Sequence, residues 1–324
     1  MEPAAIRYSS EVGRGETPPC YNSQVGRNNP TDTPIHTIRP YPAMAIRFPR
    51  ALRDLRKLYG FTTTNLFTTT NPKTLKNGKV SDRPTIVLHL EPVTFGACPA
   101  AGSCAALCLN KAGNPVYLGN KLPRRAKRSH AYHYHRNDFL QLMMLEAARQ
   151  RSKGYVGARN NGTSDHDWER VTVELSPHLI SMITGFVPGF RIQMPGNYTV
   201  VAVMSAMGFE LYDYTKRIDR DWTTAAAHNY HLTLSWGGKH DDVIFDVAAE
   251  HRLNVAAPVY GVKKSQALPA AIAAPNGKTY DTIDGDVTDW RRDDGWIGQP
   301  QIVGLRLKRT PGQTEALARR FCIV

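Results

Sequence analysis

Residues 85–108 read TIVLHLEPVTFGACPAAGSCAALC. The first half is a short continuous run of apolar and β-branched residues, bounded by proline on both sides. Such a run suits a strand buried on both faces, as in a parallel sheet. The second half gathers Cys98, Cys104 and Cys108 among glycine, alanine and serine. In parallel β/α architectures, sites assemble in the loops that leave the carboxyl ends of the strands. A cysteine loop directly after a buried strand therefore predicts both a fold class and a site.

The pattern repeats beyond it. Strands are predicted within 155–159, 208–215, 230–236, 252–261 and 301–308, and helices over 136–151, 176–186 and 241–252. Strand and helix alternate, which predicts an α/β fold of parallel β/α units. Polar, glycine-rich pieces repeatedly follow the strands: FGACPAAGSC, NNGTSD, YTKR and SWGGKHDD. An incomplete (β/α) barrel is preferred over an open sheet. Residues 84–324 form this β/α metal-cluster domain. Residues 46–83 hold a short basic helix, with Leu52, Leu55 and Leu58 on one side, and a threonine-rich segment. Residues 1–45 carry turn signals without a period and read as an irregular N-terminal arm containing Cys20.

Bulk composition narrows the function classes. The 324 residues are 41% hydrophobic and 21% charged, as in an ordinary globular protein. No apolar stretch is long enough for a membrane span, and the start lacks a secretory h-region. A cytoplasmic protein is expected, in which clustered cysteines serve metal binding or chemistry more often than disulfides. The formal net charge is +13. That excess points to a polyanionic partner, nucleic acid or nucleotide. Lys121, Arg124, Arg125, Lys127, Arg128 and Arg136 fall in a segment without acidic residues, interleaved with Tyr132, Tyr134 and histidines. Cations among rings suit phosphates and stacked bases.

Thiolates select zinc, copper(I) or iron–sulfur clusters. A structural zinc site takes four ligands, and only three cysteines are local here. Cys322, His130, His133 or His135 would supply the fourth. Alternatively the fourth position stays open, and a [4Fe–4S] cluster keeps one iron for a small ligand.

A strand followed by three cysteines within β/α units resembles the radical S-adenosylmethionine superfamily, although the cysteine spacing here is wider. That resemblance implies a [4Fe–4S] cluster whose fourth iron takes the amino and carboxylate groups of S-adenosylmethionine. It assigns cofactor binding to Asn161, Gly162, Ser164 and Asp165, with Asp165 as acceptor for the ammonium, and to Tyr214, Thr215 and Lys216. Ser164 or Asp165 would equally cap a following helix. The chain more closely resembles a family of uncharacterised bacteriophage-encoded proteins. The shared pieces are CPAAGSCAALC, Arg136-Asn137, RNNGTSD (159–165), YDYTK (212–216) and DGDVTDWRRDD (284–294) before IVGLRLK. The resemblance spans roughly residues 84–308 and implies no settled activity. It places function on Asp284, Asp286, Asp289 and Arg291, in a host-cytoplasmic or virion-associated protein.

Three functions follow. The first is a radical S-adenosylmethionine-like enzyme acting on nucleic acid or a nucleotide. The second is a non-catalytic nucleic-acid-binding or virion protein stapled by zinc or an iron–sulfur cluster. The third is a metal-dependent nuclease using the carboxylates of 284–294, where two divalent ions would suit phosphodiester chemistry.

Overall fold

The structure, a computed structural model, describes residues 49–61, 66–92, 94–111, 115–308, 310 and 312–323. Contacts divide the chain into Met1–Ala45 and Ile46–Val324. The first unit, with the expected arm and Cys20, lies outside the described residues, as does 62–65 of the threonine-rich segment.

The second unit is built on a nine-stranded, mostly parallel sheet. Its strands are β1 (Phe67–Thr68), β2 (Thr85–Leu88), β3 (Gly157–Arg159), β6 (Glu210–Thr215), β7 (Tyr230–Ser235), β8 (Val255–Val259), β9 (Ala271–Ala273), β10 (Thr279–Asp284) and β11 (Ile302–Arg306). β4 (Thr172–Leu175) and β5 (Gly196–Thr199) form a separate antiparallel pair. The order is β1-β2-β3-β6-β7-β8-β11-β10-β9. Every neighbour from β2 to β10 pairs in parallel, while β1 and β9 pair antiparallel at the two edges. Parallel neighbours need long crossovers, and here helices supply several of them.

The helices are α1 (Arg50–Tyr59), α2 (Pro72–Val80), α3 (Pro115–Tyr134), α4 (Arg136–Arg151), α5 (Pro177–Phe186), α6 (Val200–Ala206), α7 (Trp222–Ala227), α8 (Ile244–Glu250) and α9 (Glu315–Phe321). Helix α4 matches its predicted span. Its apolar residues surround the axis, so it is a buried helix rather than an amphipathic one. It packs against α1, α3, α5, α6 and β4. Ser176 caps α5 by accepting the Leu179 amide at 3.2 Å, with Pro177 at the first helical position.

The two faces of the sheet differ, as the period of two demands. Ile86, Leu88, Ala158, Leu211, Leu232, Leu234, Val255, Ala257 and Ile302 enter two apolar cores with the helices. Thr85, Arg159, Tyr212, Tyr214, Thr233 and Ser235 alternate with them and make the second face polar along β3, β6 and β7, while Val87, Ala256 and Val303 share that face on β2, β8 and β11. The segment after β10 crosses that face. Trp290 stacks edge-on to Tyr212 at 5.0 Å, and a Cβ on Gly157 would lie 2.8 Å from its ring. Arg292 then donates to the carbonyls of Leu211 and Asn229 at 3.1 and 2.7 Å, near the amino ends of β6 and β7.

Glu146 on α4 anchors β1. Its carboxylate accepts the buried amides of Leu66 and Phe67 at 3.1 and 2.9 Å. Burial raises its pKa to about 7, against the pull of those amides. The folded state thus holds a proton that the unfolded chain releases at lower pH, so this group's contribution to stability falls as pH rises from about 4.5 to about 7. Glu146→Gln is expected to flatten that pH dependence in thermal melts. Glu146→Ala is expected to lower stability by about 3 kcal/mol, because two buried amides lose their acceptor.

Candidate functional site at the carboxyl ends of the parallel strands

The loop after β2 carries Cys98, Cys104 and Cys108, all partly exposed thiols. Loops after β3 and β7 hold it from two sides. The Asp165 amide donates to the Ala97 carbonyl at 2.7 Å. Ala101 bridges to Gly238, the Cys104 amide donates to the Gly237 carbonyl at 3.0 Å, and the Lys239 amide donates to the Ala100 carbonyl at 3.1 Å. The Lys239 ammonium reaches the Pro99 carbonyl at 2.9 Å. The small residues matter here. A Cβ on Gly102 would lie 2.2 Å from the Gly238 carbonyl oxygen, and one on Gly162 would lie 2.5 Å from the His89 ring. Backbone approaches this close admit only glycine.

The chemistry of this donor set fits a thiolate-bound cluster: three thiols on one loop, among residues too small to crowd a bulky group. Cys98 lies 3.9 Å from the Thr163 carbonyl, and the Asn110 amide donates to Cys108 Sγ at 3.5 Å. Among the described residues, no three His, Cys, Asp or Glu side chains are gathered at metal-holding distance. Cys322 follows α9, which packs against the cysteine loop, and it is buried. Burial raises its thiol pKa to about 11, which disfavours the thiolate a ligand needs. His130 bonds the Tyr59 hydroxyl at 2.7 Å, His133 stacks on Phe95, and His135 lies edge-on to Tyr59.

Of the residues expected to hold a cofactor, Asp165, Thr215 and Lys216 meet at this same edge, while Tyr214 turns to the other face of the sheet, against Arg159 and Asp289. Thr215 donates its hydroxyl to Asp165 at 2.7 Å, and the Lys216 amide donates at 2.8 Å. Arg220 pairs with Asp165 at 3.4 Å and is held by both oxygens of Glu169 at 2.7 Å. Burial raises the Asp165 pKa, and Arg220 opposes that rise. The Lys216 ammonium donates to the Ser235 hydroxyl at 2.7 Å and the Trp236 carbonyl at 2.8 Å. Asn161 organises its own loop: its Oδ1 accepts from the Ser164 hydroxyl, the His166 amide and the Trp168 indole at 3.1, 2.9 and 3.0 Å. The helix that Ser164 or Asp165 would cap is absent; β4 follows at Thr172, because these polar groups bond within the loop and to β6 instead.

A cavity of about 170 Å³ opens among these loops. Ala97, Tyr132, Arg136, Asp165, Asp167 and Arg217 line it, with Arg217 paired to Asp167 at 3.2 Å. The Tyr132 ring is buried beneath Arg136, whose Cζ stands 4.8 Å from its centre.

Two buried charged residues of the sheet, Arg159 and Asp213, are ones a sequence reading passes over. Arg159 pairs with Asp289 at 2.8 Å and lies over the Tyr214 ring at 4.6 Å. Tyr212 and Tyr214 donate to Asp289 at 3.3 and 3.4 Å. On the opposite, helix-covered face, Asp213 accepts the Asn160 and Asn161 amides and the Tyr230 hydroxyl at 3.1, 2.8 and 2.7 Å, and burial raises its pKa to about 7. The one local signal was a charged residue inside an apolar strand, in ELYDYT and at the end of GAR.

The aspartates of 284–294 divide into two groups. Arg306 forks onto Asp284, with both contacts at 2.9 Å, and reaches Asp286 at 3.4 Å. Asp289 joins Arg159, while Arg291, fully buried, pairs with Asp294 at 3.1 Å. The basic segment also divides. Arg125 and Arg128 turn inward, to Asn110 Oδ1 and, at 3.1 Å, to the His89 carbonyl. Arg124, Lys127 and Arg136 face solvent, and Lys121 is half-buried.

The fold and site define a mixed α/β protein with a three-cysteine loop clamped across the carboxyl edge of a parallel sheet. The chain belongs to the Gene product 88 family, whose model matches residues 61–324. That fits the expected phage gene-product family. The match starts earlier than the 84–308 expected from motifs, and it takes in β1 and α2, which pack on β2. No curated protein and no solved structure matches the chain. No helix among the described residues is long and apolar enough to cross a membrane.

Gly102→Ala tests the clamp. The new methyl must push the Gly238 backbone away, so faster hydrogen exchange is expected at the amides of Cys104 and Lys239, read by mass spectrometry or NMR.

Proposed function

We propose that the chain is an iron–sulfur enzyme of the radical S-adenosylmethionine kind, on an incomplete barrel, with Cys98, Cys104 and Cys108 holding a [4Fe–4S] cluster. One observation carries the reading: three thiols share one loop, directly after the first parallel strand, held between the loops that follow β3 and β7. The barrel has separate support. In a flat sheet, β2 and β10 would stand roughly 29 Å apart at the usual strand spacing. Yet Lys76 on α2, which packs on β2, donates to the Asp286 carbonyl just after β10 at 2.6 Å. Asn77 Oδ1 likewise accepts from the Thr288 hydroxyl and the Asp289 amide, both at 2.9 Å. A curled sheet brings these ends together.

When bound, such a cluster supplies one electron to the sulfonium of S-adenosylmethionine. The chain's own residues bind and orient. Asp165 lines the cavity with its carboxylate fixed by Thr215, the Lys216 amide and Arg220, and it is the acceptor for an ammonium. Arg136 and Arg217 line the same cavity and suit a carboxylate. Lys216 ties the β6 end to the β7 loop, and that loop clamps the cysteines.

Anaerobic reconstitution with ferrous iron and sulfide is expected to give a brown protein whose reduced electron-resonance spectrum shifts on adding S-adenosylmethionine. Cys98→Ala, Cys104→Ala and Cys108→Ala should each lose the chromophore, and Cys322→Ala should keep it. A colourless protein carrying zinc, or a chromophore lost with Cys322, overturns the reading.

A further inference from the structure

Beside the cysteine loop the surface carries a group of rings that the fold does not bury. Phe95 sits in the loop with φ 53° and is 43% exposed. Its ring stacks on His133 at 4.4 Å, with 15° between the planes. Tyr134 is 58% exposed and meets His130 at 4.3 Å, His133 at 4.7 Å and Phe95 at 5.7 Å. The Tyr59 hydroxyl bonds to His130 at 2.7 Å, fixing that ring from α1. These rings are ordered by one another rather than by the core, and they leave apolar faces in water.

Cations flank them. Lys127, His130 and Tyr134 follow one another at helical spacing along the exposed side of α3, with Arg124 one turn earlier. Between Lys121 and Arg136 there is no acidic side chain. Phe95, His133 and Arg136 also line the 170 Å³ cavity, so the ring group and the candidate site share a wall.

We infer that Phe95, His133 and Tyr134 are a stacking platform for an unpaired base of single-stranded nucleic acid, whose phosphates run along Lys127 and Arg124. Stacked rings accept any base face, and nearby cations hold the backbone. A duplex keeps its bases within its own stack and offers the platform nothing. The inference adds a substrate class to the proposed function. It rests on that reading only for the chemistry after binding, and binding is measured on protein without iron.

The probes are fluorescein-labelled oligo(dT) and oligo(U), with a duplex of equal length as control, followed by anisotropy across a salt series. Phe95→Gly removes the ring at a φ that glycine adopts freely, and Tyr134→Ala removes it from the helix surface. Each is expected to weaken single-strand binding roughly tenfold. The double change Arg124→Ala with Lys127→Ala should weaken binding and flatten the log–log salt slope by about 1.4. Comparison of the two oligomers shows whether DNA or RNA is preferred. If both ring variants bind like the parent, or the duplex binds as tightly as the single strand, the platform is overturned and only a charged surface remains. Ring-dependent binding by a protein that never takes up iron would uphold this inference while the cluster reading fails.

Discussion

Parallel pairing is the constraint from which the site descends. Strands β2, β3, β6, β7, β8, β11 and β10 all run the same way, so their carboxyl ends share one edge of the sheet. A loop leaving such an end has unpaired amides and carbonyls, and its nearest partners are the loops beside it. The cysteine loop finds them in Asp165, Gly237, Gly238 and Lys239. The Lys216 side chain ties the β6 end to the β7 loop in the same way. The three thiols are thus held by backbone from other strands, and small residues let those backbones approach.

The buried charges in and beside the sheet obey a second constraint. Buried charges persist only when paired and hydrogen-bonded. Arg220 has Glu169 and Asp165; Arg159 has Asp289; Asp213 has two amides and a tyrosine hydroxyl. Removing one member would leave an uncompensated charge, at a cost of roughly 3–5 kcal/mol. The pairs also fix direction. Asp213 pins the amides that begin the loop after β3, and Arg220 locks Asp165 against the end of β6. The network under the sheet edge therefore sets the positions of the groups above it.

Much of the fold was legible in the residues. Helix α4 was readable because MMLEAA is a dense apolar run within a stretch too long for a strand. Strands β2, β6, β7, β8 and β11 were readable because each holds a β-branched or aromatic run followed by a turn, and β3 because YVGAR runs into the polar NNGTSD. Other elements were hidden. The VVAVMSA of α6 is short and β-branched, which mimics a strand until Thr199 caps it by accepting the Ala202 amide. Helix α2 contains Asn77 and Gly78, poor helix formers, yet Asn77 is what joins Thr85, Tyr212 and Asp289. The basic run of α3 read as one patch, because the sequence does not state which residues of a helix face inward; Arg125 and Arg128 do.

The sequence by itself determined the class of fold, the cysteine loop after a buried strand, and the nearness of NNGTSD and YTK to strand ends. These are local facts: periodicity, small residues and turn chemistry follow from neighbours in the chain. Only the tertiary structure decided that Asp165 meets Thr215 and Lys216, that Arg306 takes Asp284 while Arg159 takes Asp289, and that Phe95 stacks beside His133. Those partners lie far apart in sequence. Their meeting depends on strand order and on the register of parallel pairs, which long-range packing selects and no local pattern encodes.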